Sequence, residues 1–377
     1  MAPIKVGIVG YGFSTKCFHL PYILPNPDLE VYAFLQRAAP PSEDPNVQLK
    51  MGHCTVDFPK AKHYRTAEDF FADPEIDLVV VCTHEHEQFA EGALKAGKHV
   101  VVEKPFLKTS AKADELIQLA KEKNKILTVF QNRRFDSDFR TLEKLISLNA
   151  LGDIKDAVIH YDFRDPGWLH FWNRKEYAPG DGMAFGLGTH TLDQALALFG
   201  RPASVTGFFR AARGVDSDID DTFTIFLQYD GAQKDLTVTV RTAIITPLKE
   251  QLKYFIRGTE GSYIKYGYDP QEARAIKALG QPATDPDFGK EDPSIWGTLS
   301  TKREIDANSQ KYDEESKLYI GQYPSLDGSY RAYYENVVDA INGKCEPRIK
   351  PELARDGLRI IELARESHEQ GRTVAWH

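Results

Sequence analysis

Lys104 is the residue whose position in this chain most directly suggests chemistry. It follows the apolar run His99–Val102 and stands between Glu103 and Pro105, where a strand should end. Open α/β sheets bind ligands in the crevice beyond the carboxyl ends of their strands. We therefore expect Lys104 to lie at the rim of a ligand site.

A glycine turn near the N-terminus indicates what that ligand is. The apolar run Ile4–Val9 leads into Gly10 and Gly12. Glycine permits the tight turn and the close approach of backbone to a pyrophosphate that dinucleotide binding requires. The chain departs from the usual fingerprint only at the third position, where Thr15 replaces Gly or Ala. This position governs packing of the helix on the strand. The two segments together predict a nicotinamide dinucleotide with Lys104 beside its reactive ring.

The end of the second predicted strand, Glu30–Leu35, bears on which dinucleotide binds. NAD usually needs an Asp or Glu there to hold the ribose 2′-hydroxyl, whereas this chain continues with Gln36 and Arg37. A guanidinium can hold a 2′-phosphate through charge-assisted hydrogen bonds. NADP(H) is therefore favoured over NAD(H), and the alternative is that Arg37 is a solvated loop cation.

His190 is the second candidate for chemistry. It follows a glycine-rich run that starts at Gly180, and it begins a predicted amphipathic helix that extends through Phe199 and ends at Gly200. Histidine can titrate near physiological pH, which suits it to accept a proton from an alcohol as hydride leaves. An isolated histidine in such a place is more often structural, so this assignment depends on its combination with the lysine strand.

Other segments that follow predicted strands supply further candidate contacts, although they could equally form a domain junction. The predicted cofactor contacts are Gly10, Gly12, Phe13, Ser14, Gln36, Arg37, Thr83, His84, His86, Glu103, Lys104, Asn132 and Arg133. The predicted substrate contacts are Lys104, Arg134, Tyr161, Trp168, Trp172, Asp181 and His190.

No metal site or disulfide is expected from the spacing of potential ligands. The segment Cys82–Gln88 contains two histidines but not the HExxH pattern, and a loop after a strand lacks the helical face that would direct both at one ion. The four cysteines form no CxxC pair. We interpret Cys82–Gln88 as a loop that lines the cofactor.

Composition limits the class of protein. At 377 residues, with 42% hydrophobic and 27% charged residues, the chain predicts two folded domains. The net charge of −8 and the lack of a basic block argue against a nucleic-acid partner. There is no apolar signal region and no stretch of 18 apolar residues, so we expect a cytoplasmic protein without a membrane span.

The order of apolar patterns predicts the fold class. Residues 1–131 alternate strands with amphipathic helices, which is typical of a doubly wound parallel sheet and gives a dinucleotide-binding domain. Residues 132–377 contain longer alternating strands with short turns, which indicate an α+β domain with a mostly antiparallel sheet. The polar stretch Pro282–Ser316 is predicted to be a long surface excursion, and two helices, Tyr330–Ile341 and Pro351–Gln370, complete the chain.

Taken in order, the glycine turn, Glu103-Lys104-Pro105 and the glycine-rich run to His190 resemble the Gfo/Idh/MocA family of glucose-fructose oxidoreductases, inositol dehydrogenases and rhizopine-catabolism proteins. The likeness extends over nearly the whole chain. It implies a Rossmann domain and a second domain built on a large open sheet, which is often used for homodimer or higher oligomer contacts. It also implies redox chemistry on a sugar-like hydroxyl, with Lys104 and His190 as the catalytic pair.

Two departures from the family pattern leave two functions open. Active relatives typically carry Asp four residues before the histidine, where this chain has Gly186, and the family's Thr-Pro-Asn loop is Thr83-His84-Glu85 here, with Gln88 where a histidine is usual. Asp181 and Asp193 are the nearby carboxylates that could compensate. The main hypothesis is an NADP-dependent oxidoreductase acting on a sugar, polyol or related carbonyl compound. The rival is a dinucleotide-binding regulator of the same fold with little or no turnover.

Overall fold

The computed structural model describes residues 2–43, 50–167, 169, 172 and 174–377. The chain forms two compact units, each assembled from three segments of sequence. The first comprises residues 1–132, 270–288 and 329–355, and the second comprises residues 133–269, 289–328 and 356–377. Two later segments of the sequence thus pack into the first unit. That residues 1–131 bind the dinucleotide and residues 132–377 bind the substrate and form oligomer contacts stays a prediction.

The first unit is built on a six-stranded parallel sheet in the order β3-β2-β1-β4-β5-β6. Its strands, with labels numbered along the chain, are β1 Ile4–Val9, β2 Leu29–Leu35, β3 Lys62–Tyr64, β4 Leu78–Val81, β5 His99–Val102 and β6 Leu127–Val129. This order is that of the Rossmann fold. All four residues of β4 are buried, as expected of a parallel strand covered on both faces. The predicted doubly wound sheet is confirmed.

Local sequence signals account for the helices of this unit. They are α1 Leu20–Ile23, α2 Cys54–Asp57, α3 Ala67–Ala72, α4 His86–Lys95, α5 Ser110–Glu122, α8 Gln271–Lys277 and α9 Arg331–Ile341, followed by the start of α10 Pro351–Gln370. Thr109 caps α5 by accepting a hydrogen bond from the backbone N–H of Lys112. Gly97, with φ of 72°, ends α4 just before the lysine strand.

The second unit is built on a ten-stranded sheet in the order β14-β15-β13-β12-β11-β7-β10-β9-β8-β16. The strands are β7 Ile154–His160, β8 Ser204–Arg210, β9 Thr222–Gln228, β10 Thr237–Thr242, β11 Leu252–Gly258, β12 Gly261–Tyr266, β13 Thr298–Thr301, β14 Lys311–Asp313, β15 Leu318–Gln322 and β16 Val374–Ala375. Strands β7 and β10 pair in parallel, and the other pairings among the described strands of this ten-stranded sheet are antiparallel. The predicted mostly antiparallel sheet is confirmed.

Helices cover one face of this large sheet. Helix α7, Thr189–Phe199, lies against β7 and β10, and α10 lies against β8, where Gly207 donates its backbone N–H to Ser367 Oγ at 3.0 Å. Helix α6, Ser137–Ser147, belongs to the same unit. None of the helices in the described part of the chain is both long enough and apolar enough to cross a membrane.

The polar segment Pro282–Ser316 is not a surface excursion throughout, so that prediction is wrong. It contributes β13 and β14 to the large sheet, and it buries Glu291 and Gln310. Glu291 forms an ion pair with buried Lys265 at 3.2 Å. Gln310 donates to the Tyr319 carbonyl at 3.0 Å. Polar side chains can be buried in a core when hydrogen bonds or ion pairs satisfy their polar atoms. The hydropathy pattern of the sequence does not show which residues will supply these partners.

Candidate functional site

The glycine turn after β1 has the shape that a pyrophosphate requires. Gly10 has φ of 96°, and a Cβ there would lie 2.9 Å from Thr83 Cγ2 at the end of β4. At Gly12, no described atom other than those of the adjoining chain lies within 4 Å of the Cβ position, so the backbone is open to a ligand. The Thr15 hydroxyl donates to the Gly10 carbonyl at 3.0 Å, which gives this departure from the fingerprint a role within the turn.

Polar groups at the same edge of the sheet fit a bound dinucleotide. Thr83 Oγ1 is buried and has no hydrogen-bond partner among the described residues. Such an unsatisfied hydroxyl beside Gly10 suits a polar ligand group. Phe13 is 46% exposed, and its ring contacts Phe18 edge to face with centroids 5.8 Å apart. The residues present therefore fit the predicted cofactor.

Two arginines, Arg37 after β2 and Arg65 after β3, lie next to each other. Arg37 is exposed, and its carbonyl accepts from Arg65 Nε at 3.3 Å. The Gln36 amide is committed to protein, since it donates to the Gly52 carbonyl at 3.3 Å and accepts from the Cys54 backbone N–H at 2.9 Å. No sequence pattern pointed to Arg65, because β3, which precedes it, is only three residues long.

Glu103 is the centre of a buried hydrogen-bond network that holds the lysine strand. The side chain is 5% exposed and accepts from Ser14 Oγ at 2.5 Å, His19 Nε2 at 2.9 Å and the backbone N–H of Lys104 at 2.9 Å. The other ring nitrogen of His19 donates to the Tyr334 hydroxyl at 2.5 Å. The network thus fixes the backbone of half-buried Lys104 and joins it to the glycine turn.

His19 and Glu103 form an ion pair. Burial lowers the pKa of the His19 imidazole, but the neighbouring Cys82 thiol and the Glu103 carboxylate raise it to about 10. Burial likewise raises the pKa of Glu103, while the hydrogen bond and charge of His19, the charge of Lys104 and the Ser14 hydroxyl lower it to about 2. Both groups are therefore charged at neutral pH.

The loop after β4 also supports the lysine segment. His84 is exposed, whereas the His86 ring is half-buried and donates from Nδ1 to the Pro105 carbonyl at 2.8 Å. Burial lowers the pKa of His86, so the ring is neutral and its one N–H is used in this bond. His86 therefore connects α4 to the residue after Lys104.

Asn132, another predicted cofactor contact, is buried at the start of a short 3-10 helix.

In the second unit, the glycine-rich run places His190 at the first turn of α7. Gly182 has φ of 92°, and a Cβ there would collide with the Asp220 carboxylate, which accepts from the Ala184 backbone N–H at 2.8 Å. A π-helical turn, Ala184–Gly188, leads directly into α7. Such turns are frequent at functional sites. His190 itself is 4% exposed.

Tyr161 lies beside this histidine, and Arg133 contacts Tyr161. The Tyr161 ring lies edge to face with His190 at a centroid distance of 6.2 Å, and the Arg133 guanidinium lies 4.4 Å from the Tyr161 ring and donates to its hydroxyl. Lys253 Nζ lies 5.1 Å from the same ring. Burial lowers the pKa of Lys253, and nearby Asp138 counteracts this effect. No sequence motif pointed to Lys253, because it lies within the strand β11.

Comparison with known proteins identifies the family. Residues 4–131 match the Gfo/Idh/MocA oxidoreductase family with an NAD-binding Rossmann fold, and residues 143–376 match its C-terminal alpha/beta domain. The chain belongs to the Gfo/Idh/MocA oxidoreductase family. The predicted resemblance is therefore confirmed, as are the oxidoreductase class and the Rossmann fold of the N-terminal part.

Full-length relatives support this assignment. Scyllo-inositol 2-dehydrogenase (NADP(+)) IolW of Bacillus subtilis is 34% identical over 373 residues, which cover 98% of this chain and 95% of the relative. Uncharacterized oxidoreductase C26H5.09c of Schizosaccharomyces pombe is 35% identical over 387 residues, with 99% of each chain covered. The crystal structure of an oxidoreductase from Bacillus cereus superposes with a TM-score of 0.83 at 27% identity and 99% coverage of both chains.

Gly186 lies where Gfo/Idh/MocA relatives typically carry Asp, and the nearby carboxylates have other partners. Asp193 forms a bidentate ion pair with Arg134, with bonds of 2.6 and 3.0 Å. Asp181 accepts from Arg174 Nη1 at 3.0 Å and from the Ala178 backbone N–H at 2.9 Å. Both carboxylates are therefore already engaged within the second unit.

The remaining predicted substrate contacts in this Gfo/Idh/MocA protein occupy different surroundings. Arg134 is 5% exposed, and its ion pair anchors it to α7. Trp172 is half-buried, with the Arg213 guanidinium 6.0 Å from its ring. Trp168 lies outside the described residues. The structure brings Tyr161 to His190, while Arg134 and Asp181 are engaged in ion pairs.

Proposed function

We propose that this oxidoreductase transfers hydride between NADP(H) and a hydroxyl-bearing carbon of a sugar, polyol or related compound. The observation that carries the proposal is the placement of Lys104. It follows β5 at the sheet edge that holds the glycine turn, and Glu103 fixes its backbone. The similarity to IolW, named as an NADP-linked scyllo-inositol dehydrogenase, supports a polyol as substrate.

The cofactor contacts follow from the sheet edge of the first unit. Gly10 and Gly12 would admit the pyrophosphate to backbone, and Thr83 Oγ1 would bind a polar group of the nicotinamide half. Arg37, with Arg65 beside it, would bind the 2′-phosphate through charge-assisted hydrogen bonds. The nicotinamide, when bound, supplies the acceptor for the substrate's hydride.

Lys104 and His190 would have complementary roles in oxidation. The Lys104 ammonium binds the substrate oxygen and stabilises the negative charge that develops there as the O–H bond breaks. Neutral His190 accepts the hydroxyl proton. The proton thus goes to imidazole, the C–H electron pair leaves as hydride, and a carbonyl remains. Buried Tyr161 packs beside His190 and would help to hold the imidazole in position.

Oligomers would form through the second face of the ten-stranded sheet. Half-exposed and exposed apolar side chains lie on this face in two groups, Val158, Phe255, Ile264 and Tyr266 on β7, β11 and β12, and Phe208 and Phe226 on β8 and β9. Thr239 of β10 lies between the two groups. Exposed apolar side chains grouped in this way are suited to association. A homodimer or higher homo-oligomer is the partner state that we propose.

Gly186 favours a second candidate, a dinucleotide-binding regulator with little turnover. The two functions differ in one measurement. Purified protein is incubated with NADP⁺ or NADPH and a panel of sugars, polyols, sugar acids and dicarbonyls, and nicotinamide absorbance is followed. The oxidoreductase proposal expects substrate-dependent turnover. Tight NADPH binding without turnover across the panel would favour the regulator.

A further inference from the structure

Three potential metal ligands converge in the first unit although they are scattered in sequence. His53, Cys54 and His63 each offer one ligand atom, and these atoms all lie within 4.8 Å of one another. His53 is 2% exposed and Cys54 is 1% exposed, while His63 is half-buried. The two imidazole rings meet edge to face with centroids 4.8 Å apart. We call these residues the His53–Cys54–His63 cluster.

Secondary structure fixes the cluster from two sides. His53 is the N-cap residue of α2, so Cys54 is the first residue of that helix. His63 is the middle residue of β3, where it pairs with Phe34 of β2. Ligands held by a helix start and a sheet strand lose little further freedom when an ion binds.

Each imidazole already has the outer-shell partner that metal-binding histidines use. His63 donates from Nε2 to the Gln36 carbonyl at 2.8 Å, which makes Nδ1 the nitrogen with a lone pair. His53 donates from Nε2 to the Ala38 carbonyl at 3.3 Å, and its Nδ1 accepts from the Thr55 backbone N–H at 3.3 Å and lies 2.9 Å from Thr55 Oγ1. Nδ1 is therefore the nitrogen with the lone pair; an ion there would replace the Thr55 contacts, and the Ala38 carbonyl would still orient the ring.

We propose that the His53–Cys54–His63 cluster binds a zinc-type divalent transition-metal ion. Two imidazole nitrogens and one thiolate are ligands that Zn²⁺ prefers and that Mg²⁺ and Ca²⁺ disfavour. Three protein ligands leave one tetrahedral position for water. The half-buried side of His63 gives an ion access. This proposal departs from the expectation of no metal site, which rested on sequence spacing alone.

Binding must displace one proton. Cysteine binds a metal ion as the thiolate, not as the thiol. When Zn²⁺ binds, the S–H bond breaks, a Zn–S bond forms, and the proton goes to solvent. No electrons are transferred. The affinity should therefore rise with pH, and about one proton should be released per ion.

The test is a titration of the full-length, metal-free chain with Co²⁺. Bound Co²⁺ reports thiolate ligation through a charge-transfer absorption band, and added Zn²⁺ should displace it. We expect one Co²⁺ per chain. Cys54→Ser should abolish the charge-transfer band, and His63→Gln should weaken binding by more than the roughly 10–100-fold that loss of an outer-shell partner costs. The matched controls Cys345→Ser and His368→Gln, at exposed positions of the same residue types, should bind as the wild type does.

Two outcomes would overturn the proposal. One is the absence of stoichiometric Co²⁺ or Zn²⁺ binding by the wild type. The other is a band that persists in both Cys54→Ser and His63→Gln. Because His63 is half-buried, its variant keeps the test valid if the Cys54 variant does not fold. Calorimetry with Zn²⁺ in two buffers of different ionisation enthalpy measures the released proton. The titrations use no cofactor, so their failure is distinguishable from a failure of the redox proposal.

Discussion

Replacing His19 with glutamine tests whether the buried ion pair supports the lysine strand. Glutamine removes the positive charge and leaves Glu103 with the Ser14 hydroxyl and the Lys104 backbone N–H as donors. Removing one partner of a buried ion pair typically costs about 3–5 kcal/mol. Lys104 and Ser14 share with His19 the lowering of the Glu103 pKa and remain in the variant, so the lower end of this range applies. We therefore expect a loss of about 3 kcal/mol in unfolding free energy near pH 6.

The two pKa shifts determine how the stability difference between wild type and His19→Gln changes with pH. The pKa of His19 is raised from 6.5 to about 10, so its contribution is complete below pH 6.5 and is lost as pH rises toward 10. The contribution of Glu103 is present above pH 4.5 and is lost as pH falls toward 2. The difference between wild type and His19→Gln should therefore shrink by about 2 kcal/mol from pH 6.5 to pH 8.5.

The assay is urea unfolding followed by far-UV circular dichroism at several pH values. His99→Gln is the matched control, because burial and the charge of Lys125 lower the pKa of His99 to about 4. Its difference from wild type should change only below pH 6.5. A double-mutant cycle with Glu103→Gln isolates the pairwise energy. A His19→Gln effect below 1 kcal/mol at pH 6, or one that does not change up to pH 8.5, would refute the ion pair.

Four further predictions concern the reaction. Arg37→Ala should weaken NADPH binding by about 1.5–3 kcal/mol and leave NADH nearly unchanged, as measured by titration with each cofactor; tighter NADH than NADPH binding by the wild type would contradict the assignment. Lys104→Ala should retain the fold and cofactor binding and lose most turnover, whereas normal rates would make this lysine structural. His190→Asn should slow oxidation by about 10²–10⁴-fold, and wild-type oxidation should fall at acid pH; a flat profile with a normal Asn rate would exclude this base. Gly186→Asp should fold, because the nearest described atom to its Cβ position is Met183 Cε at 3.7 Å, and should change turnover on polyols if the missing carboxylate limits it.

Local patterns in the sequence were sufficient to predict the Rossmann sheet and the positions of its ligand-binding segments. Strands in a parallel sheet are short apolar runs, and their carboxyl ends meet at one edge whatever the rest of the chain does. For this reason Gly10, Arg37, Thr83 and Lys104 could be placed at that edge from sequence alone. Their roles in binding and catalysis remain predictions for the experiments above.

The tertiary structure decided which polar residues meet, because their pairing has no period in sequence. His19 bonds to Tyr334 across 315 positions and to Glu103 across 84, so no motif connects them. Burial of Gln310 in the polar segment likewise depends on partners that only the fold supplies. Apolar periodicity is a local property that the chain shows by itself. Partnership between buried polar groups exists only after distant segments have packed.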